Sequence, residues 1–408
     1  MRIHFTTEDL LLWIIKYFWI IAVLPKMVQF AVYLAILLTF FLKNRLSIDK
    51  TTVFFLAGAA VHVIAILWQC ITSSPALSRV AAAINTSMIW IIAAIFYSIY
   101  KQYTFNEDIL KKFSKYMRMN FFILFCIYLL SLVASSNTYT ILGYTVYLRR
   151  LDYLSTGVTT RFCGALETVL GATHLTCIGA SALLLGEDEG KSLKTIMLLL
   201  GAFIAVVATH SRTGTICCAA IVAAFIYQMI ASHLSTHKMR IVNFALISAV
   251  ILGVIIFDDQ IIGKLYSVFY SRSGSNSTRF TIYRESLRLV LSQSPLIGMG
   301  IKYSLVDSYN FVFPYGSHCT YIGILYKTGV IGSLLYLIAF SKTGRSVINN
   351  LRCRKNGRYI MIVIAVYMIS LITSDIDGMD WVIITAFSLL GLMSNDSLFQ
   401  KEVEFVGK

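Results

Sequence analysis

Apolar residues in this chain come in long runs. They do not alternate with polar ones. Runs near 8–24, 26–42, 51–70, 79–100, 119–134, 163–186, 195–210, 213–231, 240–257, 319–341, 359–373 and 380–394 each approach the length needed to cross hydrocarbon as a helix, about 20 residues. The first two are divided at Pro25-Lys26, which fits either a hairpin or one long kinked helix. The pattern changes between 258 and 318, where no run is long enough to span. Within it, 280–291 (FTIYRESLRLVL) repeats Phe280, Tyr283, Leu287 and Leu291 at three- and four-residue spacing. That spacing predicts an amphipathic helix with these four as its apolar stripe. Arg284 and Arg288 fall on another face, where a helix lying on the membrane with solvated arginines is the plain alternative to a binding role. Pro295 stops the helix, and Gly298-Met299-Gly300 makes a turn. The pattern predicts an all-α polytopic membrane protein. It has a single membrane domain over 1–408, about twelve transmembrane helices and one large extracytoplasmic loop at 258–318.

Composition agrees. Of 408 residues, 57% are hydrophobic and only 13% charged, against about 25% charged in soluble domains. The net charge of +15 invites a nucleic-acid reading, but its distribution argues otherwise. With the N-terminus placed inside and the spans alternating, most of the 35 lysines and arginines fall in inside segments, as cytoplasmic loops require. Both termini are therefore expected in the cytoplasm, and the first apolar run reads as an uncleaved helix. Lys16 and Lys327 fall inside predicted spans. The eight cysteines form no C-x-x-C pair and read as small core residues.

The informative residues are the basic ones on the wrong side. Arg149, Arg150 and Arg161 lie in the segment 135–162. Arg212 lies in the short turn His210-Ser211-Arg212-Thr213-Gly214. Lys264, Arg272, Arg279, Arg284, Arg288 and Lys302 lie in the long loop, against Asp258, Asp259, Glu285 and Asp307. A local demand for positive charge explains the excess. Arg212, between two apolar helices, is either a snorkelling interfacial residue or a residue with a partner. The helix start beside it suits phosphate. His318 is either a structural residue at a helix start or a general base. His62 and His174 lie within spans. Glu167 and His174 could share a face as a proton relay, but helix–helix hydrogen bonding is preferred for these histidines. No Walker loop, G-x-G-x-x-G, G-x-S-x-G or H-E-x-x-H is present.

Four short elements occur in a fixed order. Arg161-Phe162-Cys163-Gly164 comes first, then Ser211-Arg212-Thr213-Gly214. Arg279-Phe280-Thr281-Ile282-Tyr283 follows, leading to Ser294-Pro295-Leu296-Ile297-Gly298-Met299-Gly300. Last comes Ser317-His318, leading to Tyr321-Ile322 and Lys327-Thr328-Gly329-Val330-Ile331-Gly332. Together they resemble the motifs of the O-antigen ligase/polymerase superfamily over about 150–340. The first 130 residues resemble it in hydropathy alone. Cys319 departs from the asparagine that often follows the histidine. The Ser-His form with Tyr-Lys-Thr-Gly looks more like the polysaccharide polymerases than the ligases.

The resemblance implies a fold like the lipid-donor glycosyltransferases and a substrate linked by pyrophosphate to undecaprenol. It implies a polymerase joining repeat units of O-antigen or capsular polysaccharide. The site would face outward from the bacterial inner membrane. Arg212 and Arg279 would clamp the pyrophosphate, His318 would receive the acceptor proton, and Arg161, Arg284 and Arg288 would make further contacts. No metal or cofactor is implied. The partners are the lipid-linked glycan and the bilayer, with a chain-length regulator protein as an option and no nucleic acid. A ligase acting on lipid A core is the alternative. A flippase, of another class, would place its charges near the midplane and often shows inverted repeats.

Overall fold

The computed structural model describes residues 6–399 apart from 46, 107, 142, 155–156, 167, 187–192, 257–272, 307–311 and 353. The protein is mostly helical, at 76%. Fourteen helices lie among the described residues. They are α1 (Thr7–Lys16), α2 (Phe18–Ala22), α3 (Lys26–Lys43), α4 (Lys50–Ser73), α5 (Leu77–Gln102), α6 (Ile109–Val133) and α7 (Gly171–Gly186). Then follow α8 (Leu193–Ala208), α9 (Arg212–His233), α10 (Thr236–Ile256), α11 (Ser273–Gln293), α12 (Thr320–Arg352), α13 (Gly357–Ser370) and α14 (Asp380–Met393). Six of them, α3, α4, α5, α6, α9 and α12, are long and apolar enough to cross a membrane. The apolar helices α7, α8, α13 and α14 are shorter. This is a multi-pass membrane protein; among the described residues six helices reach full span length, where the sequence predicts about twelve spans.

The first apolar pair resolves into separate helices. α1 opens with a capping box, Thr6 to Asp9, and ends at Tyr17. α2 is a single short turn, and Pro25 then caps α3. Gln29 Nε2 donates to the Leu24 carbonyl at 2.9 Å, satisfying the turn from inside. The chain folds back here, with α3 packed on α1.

The expectation of an all-α fold is corrected by three two-stranded antiparallel hairpins. β1 (Thr138–Ile141) pairs with β2 (Tyr144–Tyr147), and β3 (Arg149–Leu154) with β4 (Gly157–Phe162). β5 (Ser304–Val306) pairs with β6 (Val312–Pro314). The first four strands are built from short β-branched and aromatic alternations such as Thr-Tyr-Thr-Ile. A search for twenty-residue runs passes over them.

α11 is longer than the expected 280–291, and its buried face differs. Ile282, Ser286 and Val290 are buried, while Phe280 and Leu291 are exposed. An apolar stripe beside a bilayer can face lipid as readily as protein, so periodicity alone picks the wrong one of two candidate faces.

The main core runs through α1–α9 and α12–α14. The most extensive packing joins α5 to α14, α4 to α12 and α6 to α7. α12 is broken at Gly329, whose φ of 59° lies in the left-handed region. The break leaves backbone groups that a helix would pair, and the segment after α11 takes them up. Met299 N donates to the Tyr326 carbonyl at 2.7 Å and Gly300 N to that of Lys327 at 3.1 Å. In return, Val330 N donates to the Pro295 carbonyl at 2.9 Å and Ile331 N to that of Leu296 at 3.0 Å. The two glycine-bearing motifs of the sequence are thus one interlocked unit. Irregular backbone inside a membrane protein survives when protein satisfies it in this way.

Candidate functional site

The turn between α8 and α9 carries Arg212 as the first residue of α9. Ser211 caps that helix, its Oγ accepting from Gly214 N at 3.2 Å. Gly214 is required there because a Cβ would lie 2.3 Å from Thr173 Oγ1 of α7. β4 brings Arg161 to the same turn, where its Nε donates to the Thr209 carbonyl at 2.7 Å. Arg279, on α11, lies near Arg161. Its Nε is buried and has no hydrogen-bond partner. Burial pulls the Arg279 guanidinium below its ordinary value; Tyr283 opposes the shift and Arg161 adds to it. Arg161 and Arg279 are therefore close enough to repel, and no described acid supplies a counter-charge to Arg279. Such an arrangement is unfavourable unless an anion completes it.

His318 sits beside this cluster with φ +64°, a strained conformation for a residue with a side chain. Several contacts hold it. Tyr283 Oη lies 2.8 Å from the His318 carbonyl and 3.3 Å from that of Ile372. The following residue but one, Thr320, donates N–H to the carbonyls of Leu371 (3.0 Å) and Ser374 (2.9 Å). On the preceding side, Gly316 N donates to Ser286 Oγ of α11 at 2.8 Å. α11, α12 and the segment after α13 thus meet at one histidine. Burial pushes His318 down to about 4, and the charges of Arg279 and Lys302 push the same way. The imidazole is neutral near pH 7 and can accept a proton.

The structure brings Arg161, Arg212, Arg279 and His318 to neighbouring elements. It places Arg284 and Arg288 elsewhere. Both side chains are about two-thirds exposed and pair with Glu285, at 3.3 Å and 2.6 Å. Asp258, Asp259, Lys264, Arg272, Asp307 and Glu167 lie outside the described residues. His174 Nδ1 lies 3.3 Å from Tyr367 Oη of α13, and His62 Nε2 donates to the Gly300 carbonyl at 2.9 Å. Both histidines serve packing contacts between segments. Cys163, Cys177, Cys217, Cys218 and Cys319 are buried free thiols.

Sequence reasoning missed one feature. Lys327 of α12 is buried, and its Nζ lies 2.5 Å from Asp377. Asp377 also receives Lys302 at 3.1 Å and Trp90 Nε1 at 3.1 Å, while Lys302 reaches Asp375 at 2.7 Å. Burial alone would raise Asp377, but Lys327 and Lys302 outweigh it and hold the carboxyl below the usual carboxylate range. Burial and the Asp377 charge raise Asp375 despite Lys302. A lysine inside an apolar run was the available signal, and the acidic turn Asp375-Ile376-Asp377 was its natural partner.

Residues 196–337 match the family described as O-Antigen ligase. This stretch is similar to an O-antigen ligase-family domain. It runs from α8 into α12 and contains Arg212, Arg279, Arg284, Arg288, Lys302, His318 and Lys327. Arg161, Asp375 and Asp377 complete the surroundings from outside it. No curated protein matches the chain. A chain in the solved structure "Structural coordination of polymerization and crosslinking by a peptidoglycan synthase complex" aligns at 12% identity with a TM-score of 0.40. The alignment covers 88% of this chain and 99% of that one. At that score the likeness carries no argument.

Proposed function

We propose that this protein is a polysaccharide polymerase. It joins undecaprenyl-pyrophosphate-linked repeat units into O-antigen or capsular polysaccharide at the outward face of a bacterial inner membrane. The observation that carries the reading is the buried, unpartnered Nε of Arg279, set beside Arg161 and His318. An anion is what that geometry lacks.

In the proposed reaction the acceptor hydroxyl attacks the anomeric carbon of the donor sugar. The bond from that carbon to the pyrophosphate oxygen breaks, and the lipid pyrophosphate leaves with the electron pair. Arg279 and Arg212 hold the departing oxygens as their charge grows, and Arg161 adds to the field. The acceptor proton passes to His318. A bound pyrophosphate offsets the cationic part of the field that depresses His318 and so raises its basicity when substrate is present. The burial contribution remains. Tyr283, through the His318 carbonyl, positions the imidazole.

The Ser317-His318 form, followed by Tyr326-Lys327-Thr328-Gly329, favours polymerase over ligase. None of the site residues lies in the middle of an apolar span: Arg212 and His318 stand at helix starts, Arg161 on a hairpin strand and Arg279 on the polar helix α11, which favours an enzyme over a flippase. The test is reconstitution with undecaprenyl-pyrophosphate repeat units. Ladders of product from that substrate alone support polymerisation. Product only after addition of lipid A core supports ligation. Movement across the bilayer with no new glycosidic bond supports transport. His318→Ala should lower turnover by about 10²–10⁴-fold, the usual range for a lost general base. Unchanged turnover in a correctly inserted His318→Ala or Arg279→Ala protein defeats the assignment.

A further inference from the structure

α11 sends three polar side chains toward one short segment, 316–318. Arg279, Tyr283 and Ser286 stand four and three residues apart, so one helix face carries all three. The charge of Arg279 is felt by His318. Tyr283 Oη lies 2.8 Å from the His318 carbonyl. Ser286 Oγ accepts from Gly316 N at 2.8 Å. Arg279 and Tyr283 act in the reaction above, whereas Ser286 touches none of the reacting groups.

Ser286 is an odd residue for its place. It is fully buried, between Ile282 and Val290 on the packed face of α11, and serine favours neither a helix interior nor a core. Its hydrogen bonds explain it. The hydroxyl proton goes to the Ile282 carbonyl one turn back, at 2.5 Å, which leaves the oxygen lone pairs for a second partner. The Gly316 N–H is that partner. Gly316 is buried as well, so water offers its N–H no substitute. The chain there is tightly constrained. Gly316 has φ +69°, and a Cβ would lie 2.8 Å from the Tyr326 ring. Two residues later His318 holds φ +64°. Downstream, Thr320 is tied to Leu371 and Ser374. Upstream, the tie to α11 is Ser286. Ser317 Oγ donates to the Pro314 carbonyl at 2.5 Å, a bond local to the segment.

We propose that Ser286 is a positioning residue for glycosyl transfer: it fixes His318 to the helix that carries Arg279, so that base and pyrophosphate clamp keep one spacing. The inference rests on the polymerase reading. In that reaction the acceptor oxygen loses its proton as the pyrophosphate oxygen departs. The two groups that serve these events must hold their geometry to within about 0.5 Å. Pyrophosphate bound at Arg279 steadies α11 and, through Ser286 and Tyr283, steadies His318. Donor binding and base placement are thereby coupled.

The titratable and charged groups around His318 are Arg279 and Tyr283 on α11, Lys302 ahead of β5, Cys319 beside it and Asp375 after α13. Burial, Arg279 and Lys302 together hold it down to about 4. Released from this place, it moves up toward its ordinary 6.5. The experiment uses the full-length protein in lipid nanodiscs, as wild type, Ser286→Ala and Ser286→Thr. Thr343→Ala is the control, since it loses a buried hydrogen bond to Tyr97 Oη in the second half of α12. Histidine-ring NMR, with the His318 signal identified by its loss in His318→Ala, should show a midpoint near 4 in the wild type and one displaced toward 6.5 in Ser286→Ala. With lipid-linked repeat units, kcat of Ser286→Ala should fall about ten- to a hundredfold, the cost of a misplacement on the order of 1 Å. KM for the donor and the affinity for inorganic pyrophosphate, which Arg279 governs, should hold at their wild-type values. Ser286→Thr keeps the hydroxyl and should restore both kcat and the titration, and Thr343→Ala should disturb neither. An unmoved His318 titration in Ser286→Ala overturns the proposal whatever happens to kcat. So do equal changes in Thr343→Ala, which mark a general loosening of the bundle. If the titration moves as described but the wild type joins no repeat units, the placement of His318 by Ser286 stands and the polymerase reading falls.

Discussion

Replacing Lys327 with methionine removes one member of a buried ion pair while keeping the length of the side chain. Lys327 and Asp377 side chains are only 3% and 5% exposed, so water cannot take over the lost interaction. Breaking a buried pair by removing one partner costs about 3–5 kcal/mol, chiefly because the other charge is left stranded. Asp377 keeps Lys302 and Trp90, each at 3.1 Å. That places Lys327→Met at the lower end, about 3 kcal/mol, or roughly a hundredfold in the unfolding equilibrium. The assay is reversible unfolding in mixed micelles, run as a cycle with Asp377→Asn and the double variant. The double variant should be more stable than Lys327→Met alone, since the stranded carboxylate is gone. A single variant within about 0.5 kcal/mol of wild type, or a double variant whose loss equals the sum of the singles, refutes the view that this pair anchors the site.

The remaining predictions concern the histidine and the glycine interlock. His318 is held down to about 4 from an ordinary value of 6.5. It therefore stays neutral until the pH falls close to that value, and the acid limb of kcat/KM, which reports the free enzyme, should lie near pH 4. A limb at 6.5 contradicts the described environment. At Gly298, φ is +81° and a Cβ would lie 2.4 Å from Gly329 N. Gly298→Ala should cost at least 2 kcal/mol, about 1–2 of it from the left-handed backbone alone, and should reduce turnover. Gly344→Ala is the control: nothing lies within 4 Å of its Cβ position, so helix propensity should stabilise it by roughly 1 kcal/mol. Equal effects of the two on micellar unfolding would dismiss the interlock.

Long apolar runs made the helices legible, because backbone in lipid has few options beyond a helix. The residues that break those runs were legible too: Arg161, Arg212, Arg279 and His318 stood out as charges or polar groups where topology does not favour them. What the sequence did not expose was mutual arrangement. Arg284 and Arg288 share a helix with Arg279 and a charge excess with it, yet a neighbouring Glu285 takes them both. The wrong face of α11 was chosen because lipid rewards exposed Phe280 and Leu291 as water would not. Lys327 and Asp377 are fifty residues apart, and only packing joins them. The four strands of 138–162 were lost to a window built for longer elements.

The break in α12 lies nine residues beyond its start at Thr320, about 14 Å along the axis at the usual rise of 1.5 Å per residue. The chain after α11 descends to that depth and is tied there. The arginine-bearing helix is thus moored from within the bundle, and its height is fixed by the helices and not by the surface of the bilayer. A lipid-linked substrate has no such mooring; its phosphates ride at whatever level the surrounding lipid sets. In a membrane of the wrong thickness the two levels part, and catalysis becomes a gauge of how well bilayer and protein are matched.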